Sequence, residues 1–471
     1  MVATALIPNQ VADADEGPLE ANAVHSEEAL VIRSSLQEQY RKLFDGMSEQ
    51  AKLGYRNLVN NFYLPADFDE EVLIRLDKEK HVWNLADSPL RVGTREGTWT
   101  AYGISPRPDE PLMPLQYAVT PDKRYVMNCF ACHGGNLFGA TYPGAPNTTY
   151  ALESLTEQVR KIKLAIGKPL THMDVGSMFM PLGKTVGSSN AVMFGVALMG
   201  YRDAELNVHP NRVPEEMVHH DMDAPPWWHF HRKTHIYIDG FAFKGHRGLM
   251  QFILVRQNGP EKFKQWENDF RQVFAFLSEL RAPKYPLPIH REQASRGKLA
   301  FERTCAACHG TYSNDQNEYP EVRVPIAELG TDPIRLQSLS TTHRRNYGQS
   351  WFANFGGQDT IAEVDGYVAP PLDGVWASAP YLHNGSIPTL WHLLHPESRP
   401  KTWKRTALGL DTSKIGLQVE IDVEIPKRLR PAERRWYFDT TRFGKSASGH
   451  NYPNELSEDE RADLLEYLKT L

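Results

Sequence analysis

The chain contains two copies of one five-residue pattern, and together they use all four of its cysteines. The copies are Cys129-Phe130-Ala131-Cys132-His133 and Cys305-Ala306-Ala307-Cys308-His309. A C-x-x-C-H pentapeptide is the attachment sequence of c-type haem. Its two thiols share one face of a helical turn, where both can form thioethers to one porphyrin while the histidine ligates the iron. The sequence therefore predicts two covalent haem c groups, with His133 and His309 as proximal ligands.

Other uses of paired cysteines explain the pattern less well. Zinc bound by two C-x-x-C pairs is the main alternative. The pairs at 129–132 and 305–308 are far apart for a compact zinc site, and zinc does not account for a histidine after each pair. A redox-active dithiol needs only one pair. Two buried cysteine pairs followed by chance histidines would leave the repeat unexplained.

Composition excludes several classes of protein. With 471 residues the chain is long enough for two or three domains, and 41% hydrophobic with 23% charged residues is ordinary for a folded protein. A net charge of −6 provides no basic surface for nucleic acid. A transmembrane helix needs roughly 18 consecutive apolar residues, and the chain has no such run. We therefore expect no nucleic-acid partner and no transmembrane segment.

The cofactor also bears on the compartment. Bacteria attach haem c outside the cytoplasm, so two covalent haems predict a periplasmic or secreted protein. Residues 1–23 show neither the basic n-region nor the apolar core of a signal peptide, so none is evident in this chain.

Apolar and proline patterns divide the chain into three predicted parts. Residues 1–115 form an N-terminal extension with an acidic arm, a helix capped by Ser26, and loops. Residues 116–285 form the first haem domain and the segment between the haems, with helices over 150–166 and 260–281. Residues 286–471 form the second haem domain, after a proline-rich linker. Strand alternation is weak, so the predicted fold is mainly α, with two cytochrome c-like haem domains, long loops and an N-terminal helical extension.

The two ends of the second haem domain resemble a small cytochrome c. In such proteins the first and last helices cross at a glycine and an aromatic residue. Gly297 and Phe301 lie on a predicted helix just before the second motif. The final helix opens with the capping box Ser457–Glu460 and carries Leu464, Tyr467 and Leu468. These helices are predicted to cross at Gly297.

A longer run in the C-terminal half resembles a known family. It contains Ala369-Pro370-Pro371-Leu372-Asp373-Gly374 and, further on, Tyr381-Leu382-His383-Asn384-Gly385. After a second C-x-x-C-H, this run resembles the di-haem cytochrome c peroxidase superfamily. The tail, with Tyr437–Thr440 and Gly449-His450-Asn451-Tyr452, is most similar to its rubber-oxygenase-like branch. The resemblance implies an oxidoreductase that activates O2 or H2O2 at the N-terminal haem and stores electrons at the C-terminal haem.

The same resemblance suggests the remaining iron ligands. It implies His450 as the second ligand of the iron at His309, with His383 as the rival. A haem closed by two histidines suits electron storage. No histidine lies between His133 and His172, so the sixth position of the first iron is expected to be open or water-filled. The alternative ligands there are His172, Met173, Met178 and Met180.

The segment 219–247 between the motifs is unusually rich in histidine and aromatic residues. Trp227 or Trp228 is a candidate electron relay, and Phe241 or Phe243 a candidate apolar cover for the first haem. A histidine here, with His229 as the candidate, could act as general acid or base. Ordinary core and polar contacts are the alternative for each residue. Two further candidates, Arg247 and Arg256, could pair with haem propionates.

Two kinds of function fit these predictions. The first is an enzyme, either a peroxidase that takes electrons from a small donor cytochrome or cupredoxin, or a dioxygenase that oxidises a small apolar substrate. The second is a non-catalytic electron carrier of the periplasm in which both irons are six-coordinate. The missing early histidine after His133 favours the enzyme, whereas a ligand among residues 172–180 would favour the carrier.

Overall fold

The computed structural model describes residues 27–78, 93–180, 182–213, 216–312 and 317–471. The predicted acidic arm and Ser26 lie outside these residues. The helices of eight or more residues in the described part are α1 (Glu27–Asp45), α2 (Glu49–Asn60), α3 (Glu70–Lys78), α4 (Arg95–Tyr102), α5 (Leu152–Ala165), α6 (His172–Phe179), α7 (Ala191–Gly200), α8 (Pro260–Glu279), α9 (Arg291–Thr304), α10 (Thr341–Gln349) and α11 (Glu458–Leu468).

The strands are short and form several small antiparallel sheets. They are β1 (Phe68–Asp69), β2 (Tyr117–Val119), β3 (Arg124–Met127), β4 (Asn136–Leu137), β5 (Ala140–Thr141), β6 (His235–Ile236), β7 (Ala242–Phe243), β8 (Arg323–Pro325), β9 (Gly366–Val368), β10 (Thr402–Asp411), β11 (Gly416–Ile421) and β12 (Tyr437–Asp439). Among the described residues, two sheets have three strands, in the orders β1-β3-β2 and β11-β10-β12, and three have two strands. The fold is helix-rich, and the predicted helices over 150–166 and 260–281 correspond to α5 and α8. No helix in the described ranges is long and apolar enough to cross a membrane.

The hairpin of β10 and β11 departs from the prediction of weak strand alternation. Along β10 the buried positions alternate at Trp403, Arg405 and Ala407. Because one of these buried positions is an arginine, the hydrophobicity pattern of the sequence does not show the alternation. Its guanidinium is buried because it donates to the carbonyl oxygens of Ala407, at 2.9 Å, and Thr148, at 2.7 Å. Backbone acceptors thus replace the water that this cation would lose.

Two pairs of helices cross at a glycine. Gly297 of α9 meets Asp463 of α11 so closely that a Cβ atom would lie 1.9 Å from the Asp463 carbonyl oxygen. Gly54 of α2 meets α8 in the same way, 2.1 Å from the Gln272 carbonyl oxygen. The crossing predicted at Gly297 is confirmed, together with the Ser457 capping box. Each crossing brings two helix backbones into contact because glycine has no side chain.

The helix α2 lies in the predicted N-terminal extension but packs on α8, within the predicted first haem domain. One cluster of buried residues runs through the described chain from Ile32 to Leu468. A second, smaller cluster gathers α3, α4, α5 and the sheet of β1, β2 and β3. The two halves therefore share a continuous core, and each contributes one glycine crossing to it.

Candidate haem-binding site

One large cavity reaches both C-x-x-C-H motifs. Its volume is about 1420 Å³, and mostly apolar side chains line it. Pockets for one small molecule usually have volumes of about 300–1,000 Å³, so this cavity has room for more than one such group. The residues of the two motifs that line it are Cys129, Ala131, Cys132, His133, Cys305, Ala307, Cys308 and His309.

The two motif histidines have the same hydrogen-bond geometry. Each motif ends in a one-turn helix, Phe130–His133 or Ala306–His309. The Nδ1–H of His133 donates to the Pro225 carbonyl oxygen at 3.0 Å, and that of His309 to the Pro370 carbonyl oxygen at 2.8 Å. A protonated Nδ1 leaves Nε2 with a free lone pair, which is the tautomer of a metal-ligating histidine. Burial lowers the pKa of His133 to about 4 and also lowers that of His309, so both rings are neutral near pH 7.

Burial keeps the thiols of both motifs in their neutral form. Burial raises the pKa of Cys129 to about 12, of Cys132 to about 11 and of Cys305 to about 12. Within the described residues, no group of three or more histidine, cysteine or carboxylate side chains is arranged to hold a metal ion. The donor set in the cavity therefore fits haem c better than zinc.

His450 lies opposite His309. Their ring centres are 6.1 Å apart and the rings are inclined at 65°. If both rings bound one metal ion, two metal–nitrogen bonds of about 2.0 Å and two ring radii of roughly 1.1 Å would separate the ring centres by about 6.2 Å. The observed distance is close to this value. The His450 Nδ1 is buried, with no hydrogen-bond partner among the described residues. Burial lowers the pKa of His450 to about 3, so this ring is also neutral and can offer a nitrogen lone pair to a metal ion.

The backbone around His450 is unusual and firmly held. His450 has φ 49° and Gly449 has φ 76°, both in the left-handed region. A Cβ atom on Gly449 would lie 2.2 Å from the Gly330 carbonyl carbon, so only glycine fits there. The His450 N–H donates to the Leu329 carbonyl oxygen at 2.8 Å.

The Arg399 guanidinium ties this loop to the rest of the second half. Its Nη1 donates to the carbonyl oxygens of Ala447 at 2.9 Å and Gly449 at 2.6 Å. Its Nη2 donates to the carbonyl oxygens of His450 at 3.2 Å and Leu393 at 3.3 Å. A planar fork that binds four carbonyls fixes the loop conformation. The role of Arg399 is not apparent from the sequence, because its partners are backbone carbonyls, which every residue has.

The rival ligand, His383, faces another group. Its ring packs on Tyr367, with ring centres 4.5 Å apart. Burial lowers the pKa of His383 to about 3, and its side chain lines the cavity. The ring that meets His309 belongs to His450, so the geometry favours His450 as the partner of His309.

The surroundings of His133 are different. The Trp227 ring stacks on His133, with ring centres 4.8 Å apart. His172, at the start of α6, also lines the cavity, with Nε2 3.7 Å from Asp67 Oδ1. The His172 Nδ1 is buried, with no hydrogen-bond partner in the described part of the chain. Met173 and Met180 line the cavity, whereas the exposed Met178 does not.

The predicted catalytic residues occupy different places. His229 lines the cavity, and its Nε2–H donates to the Asp373 carbonyl oxygen at 2.9 Å. The Trp228 indole N–H donates to the same oxygen at 2.7 Å, and its side chain is buried in the core. Neither Phe241, which is buried, nor Phe243, which is 43% exposed, belongs to the cavity lining. The segment around His229 thus links the His133 side to the loop after Pro370.

The two candidate arginines lie in different places relative to the cavity. Arg247 pairs with Glu267 at 2.9 Å and covers the Trp351 ring, outside the cavity lining. Arg256 is exposed where it borders the cavity. Arg335, which the sequence analysis did not consider, is buried and also borders the cavity.

Part of the second half of the chain matches a known family model. Residues 366–404 match the family model described as RoxA-like, cytochrome c-like. This RoxA-like domain contains Pro370, His383 and Arg399, and it supports the rubber-oxygenase-like branch of di-haem cytochromes. A cytochrome c-like domain implies covalently bound haem c.

The chain is similar to two curated proteins from Sinorhizobium fredii, both described as uncharacterized. The chain is 31% identical to the protein y4iM over 237 residues, which cover 42% of this chain and 53% of that protein. It is 28% identical to the protein y4iJ over 257 residues, which cover 41% of each. The matches thus span about half, or less, of the length of these relatives.

Proposed function

We propose that this chain is a di-haem c-type cytochrome oxidoreductase. It activates O2 or H2O2 at the haem attached beside His133 and stores electrons at the haem attached beside His309. The observation that carries the proposal is the inequality of the two sites. His309 has a second neutral imidazole opposite it, whereas the ring in contact with His133 is an indole.

At the second site, His309 and His450 would hold the iron of a bound haem and leave substrates no access to it. His309 and His450 are neutral, and the Pro370 carbonyl and the Arg399-bound loop hold them in place. Two protein ligands that need no rearrangement suit electron transfer.

At the first site, the side chains would bind the haem, orient the His133 ring and exclude water from the reaction. The Pro225 carbonyl and the Trp227 ring fix the His133 ring. Haem c bound here would supply an iron that reacts with O2 or H2O2 and exchanges electrons. Apolar residues of α7, including Val192, Phe194 and Leu198, line the cavity and favour an apolar substrate or a dry reaction space.

The segment 225–229 offers a short connection between the two sites. Pro225 and Trp227 contact His133, while Trp228 and His229 bind the Asp373 carbonyl, three residues after Pro370. Trp227 or Trp228 is therefore the candidate electron relay. We propose no direct contact with substrate for Phe241 or Phe243.

His172 supports one alternative function. Its unpartnered, buried Nδ1 on the cavity wall is a candidate second ligand for the first iron. With both irons closed, the protein would be a periplasmic electron-transfer cytochrome rather than an enzyme.

Cyanide titration of the haem-loaded protein tests the proposal. We expect one equivalent to bind per chain, at the His133 site. The variant His450→Ala should bind two equivalents, whereas His383→Ala, the matched control on the same cavity, should still bind one. If the wild-type protein binds no cyanide and His172→Ala binds one equivalent, the electron carrier is correct.

Two turnover assays then separate the enzyme classes. A peroxidase should consume H2O2 with a reduced small cytochrome or cupredoxin as the donor. A dioxygenase should take up O2 with an unsaturated hydrocarbon or fatty acid and need no added donor. Loss of both activities in a chain with two haems and an open first site would contradict the catalytic proposal.

A further inference from the structure

Three charged side chains are buried together beside the cavity. Arg335 is 1% exposed, Arg344 3% and Asp239 0%. Asp239 Oδ2 accepts from Arg344 Nη2 at 2.9 Å and from Arg335 Nη1 at 3.4 Å. Two guanidiniums thus share one carboxylate, which leaves the group with a net positive charge.

The polar atoms of this group lack enough partners. The Nε and Nη2 atoms of Arg335 and the Nε of Arg344 are buried without a hydrogen-bond partner among the described residues. Arg335 borders the cavity, and so does the side chain of Lys233. Buried N–H donors of a guanidinium that lack an acceptor are unfavourable unless a further acceptor, such as an anion, binds them.

The position of Arg335 points to the second half of the cavity. The helix turn that carries it packs on β9, where the Leu336 N–H donates to the Tyr367 hydroxyl at 3.0 Å. β9 leads directly to Pro370, whose carbonyl accepts from His309. Arg335 therefore packs beside the stretch of cavity lining that runs from Tyr367 to Pro370, next to His309.

We propose that Arg335, supported by Arg344 and Asp239, is a carboxylate-binding centre on the cavity wall. A guanidinium fork matches a carboxylate with two parallel hydrogen bonds, and burial strengthens the pair. Two sources of carboxylate would suit this centre, namely a propionate of the haem attached at Cys305 and Cys308, or the head group of an apolar substrate. The inference rests on the proposed function, because both sources require a haem-loaded or substrate-filled cavity.

The first test compares the reduction potentials of the two haems in wild-type protein and in Arg335→Met. The matched control is Arg345→Met, which removes an exposed arginine from the same region. Loss of a cation beside a propionate favours the ferric state. At the wild-type midpoint we expect the ferric-to-ferrous ratio of one haem to rise about tenfold, equal to about 59 mV. Arg345→Met should leave both potentials unchanged. Arg335→Lys, which keeps the positive charge, should have a potential close to that of the wild type.

The second test identifies a substrate carboxylate. Dodecanoate and, as an uncharged control, dodecanol are titrated while the haem absorbance is followed. If both haem potentials stay unchanged but Arg335→Met weakens dodecanoate binding about tenfold and leaves dodecanol unaffected, the centre binds a substrate. If neither the potentials nor dodecanoate binding changes, the proposal is overturned.

Two controls keep the result interpretable. Haem content, from the intact mass and the pyridine haemochrome spectrum, is measured in every variant. A chain with a single haem would contradict the di-haem proposal, while a potential shift at that haem would still support the carboxylate centre. If Arg335→Met does not accumulate, Arg344→Met removes the other cation and should shift the potential in the same direction. An unshifted potential and unchanged dodecanoate binding in that variant would overturn the proposal.

Discussion

Replacing Gly297 by alanine tests the packing that positions the second haem motif. The new Cβ would lie 1.9 Å from the Asp463 carbonyl oxygen, where ordinary contact begins at 3.4 Å. The new Cβ would clash with backbone atoms of α11, so no side-chain rotation relieves the clash. The helix α9 must therefore move away from α11. That movement also separates Phe301 from Tyr467, whose ring centres are 5.3 Å apart.

The expected free-energy change follows from two opposing effects. Overpacking usually costs about 1–3 kcal/mol, and a backbone clash lies at or above the upper end of that range. Alanine is favoured over glycine in a helix interior by about 1 kcal/mol, which offsets part of the cost. We therefore expect Gly297→Ala to lower the free energy of unfolding by roughly 2–3 kcal/mol. Gly54→Ala, with its Cβ 2.1 Å from the Gln272 carbonyl oxygen, should have a similar effect.

The assay is urea unfolding of the haem-loaded chain, followed by far-ultraviolet circular dichroism. A lower midpoint with an unchanged slope reports a change in stability. Gly176→Ala in α6 is the matched control, because its nearest foreign atom would be Met180 Cε at 3.6 Å. That substitution should leave stability unchanged or raise it by up to about 1 kcal/mol. If Gly297→Ala unfolds at the same urea concentration as the wild type, the proposed close crossing is refuted.

Two more predictions concern residues in contact with the cavity-lining His450 and His172. Arg399→Met should release the loop that carries His450, so that the haem-loaded variant binds a second equivalent of cyanide; unchanged stoichiometry would show that the loop does not depend on Arg399. Burial raises the pKa of Asp67 to about 7, so this one carboxyl destabilises the fold increasingly as pH rises from about 4 to 7, where the unfolded chain loses a proton that the folded carboxyl keeps. Asp67→Asn should be about as stable as the wild type at pH 4 but up to about 4 kcal/mol more stable above pH 7, and parallel urea midpoints across this range would contradict the shift.

Local signals in the sequence predicted those features that depend on neighbouring residues. The C-x-x-C-H spacing predicts the motif turns, and Ser457 with Glu460 predicts the start of α11. The Gly297 crossing was predictable because the glycine is followed at helical spacing by the aromatic Phe301. Its counterpart at Gly54 was not predicted, since that helix lies 75 residues before its motif cysteine Cys129.

Other features depend on contacts between distant residues. Asp239 meets Arg335 and Arg344 across 96 and 105 residues, and charged residues are usually at the surface, so the sequence does not indicate this buried group. The buried Arg405 conceals β10 for the same reason. Trp227 and Trp228 are neighbours in sequence, and only the fold distinguishes the indole that stacks on His133 from the one that binds Asp373.

The central claim is that one chain carries two haems with unequal coordination. Electron paramagnetic resonance of the oxidised, as-isolated protein tests it most directly, with both signals integrated against the protein concentration. The account predicts one high-spin ferric haem, at the His133 site, and one low-spin haem per chain, with the low-spin signal lost in His450→Ala. Two low-spin signals, or one haem in total, would contradict it.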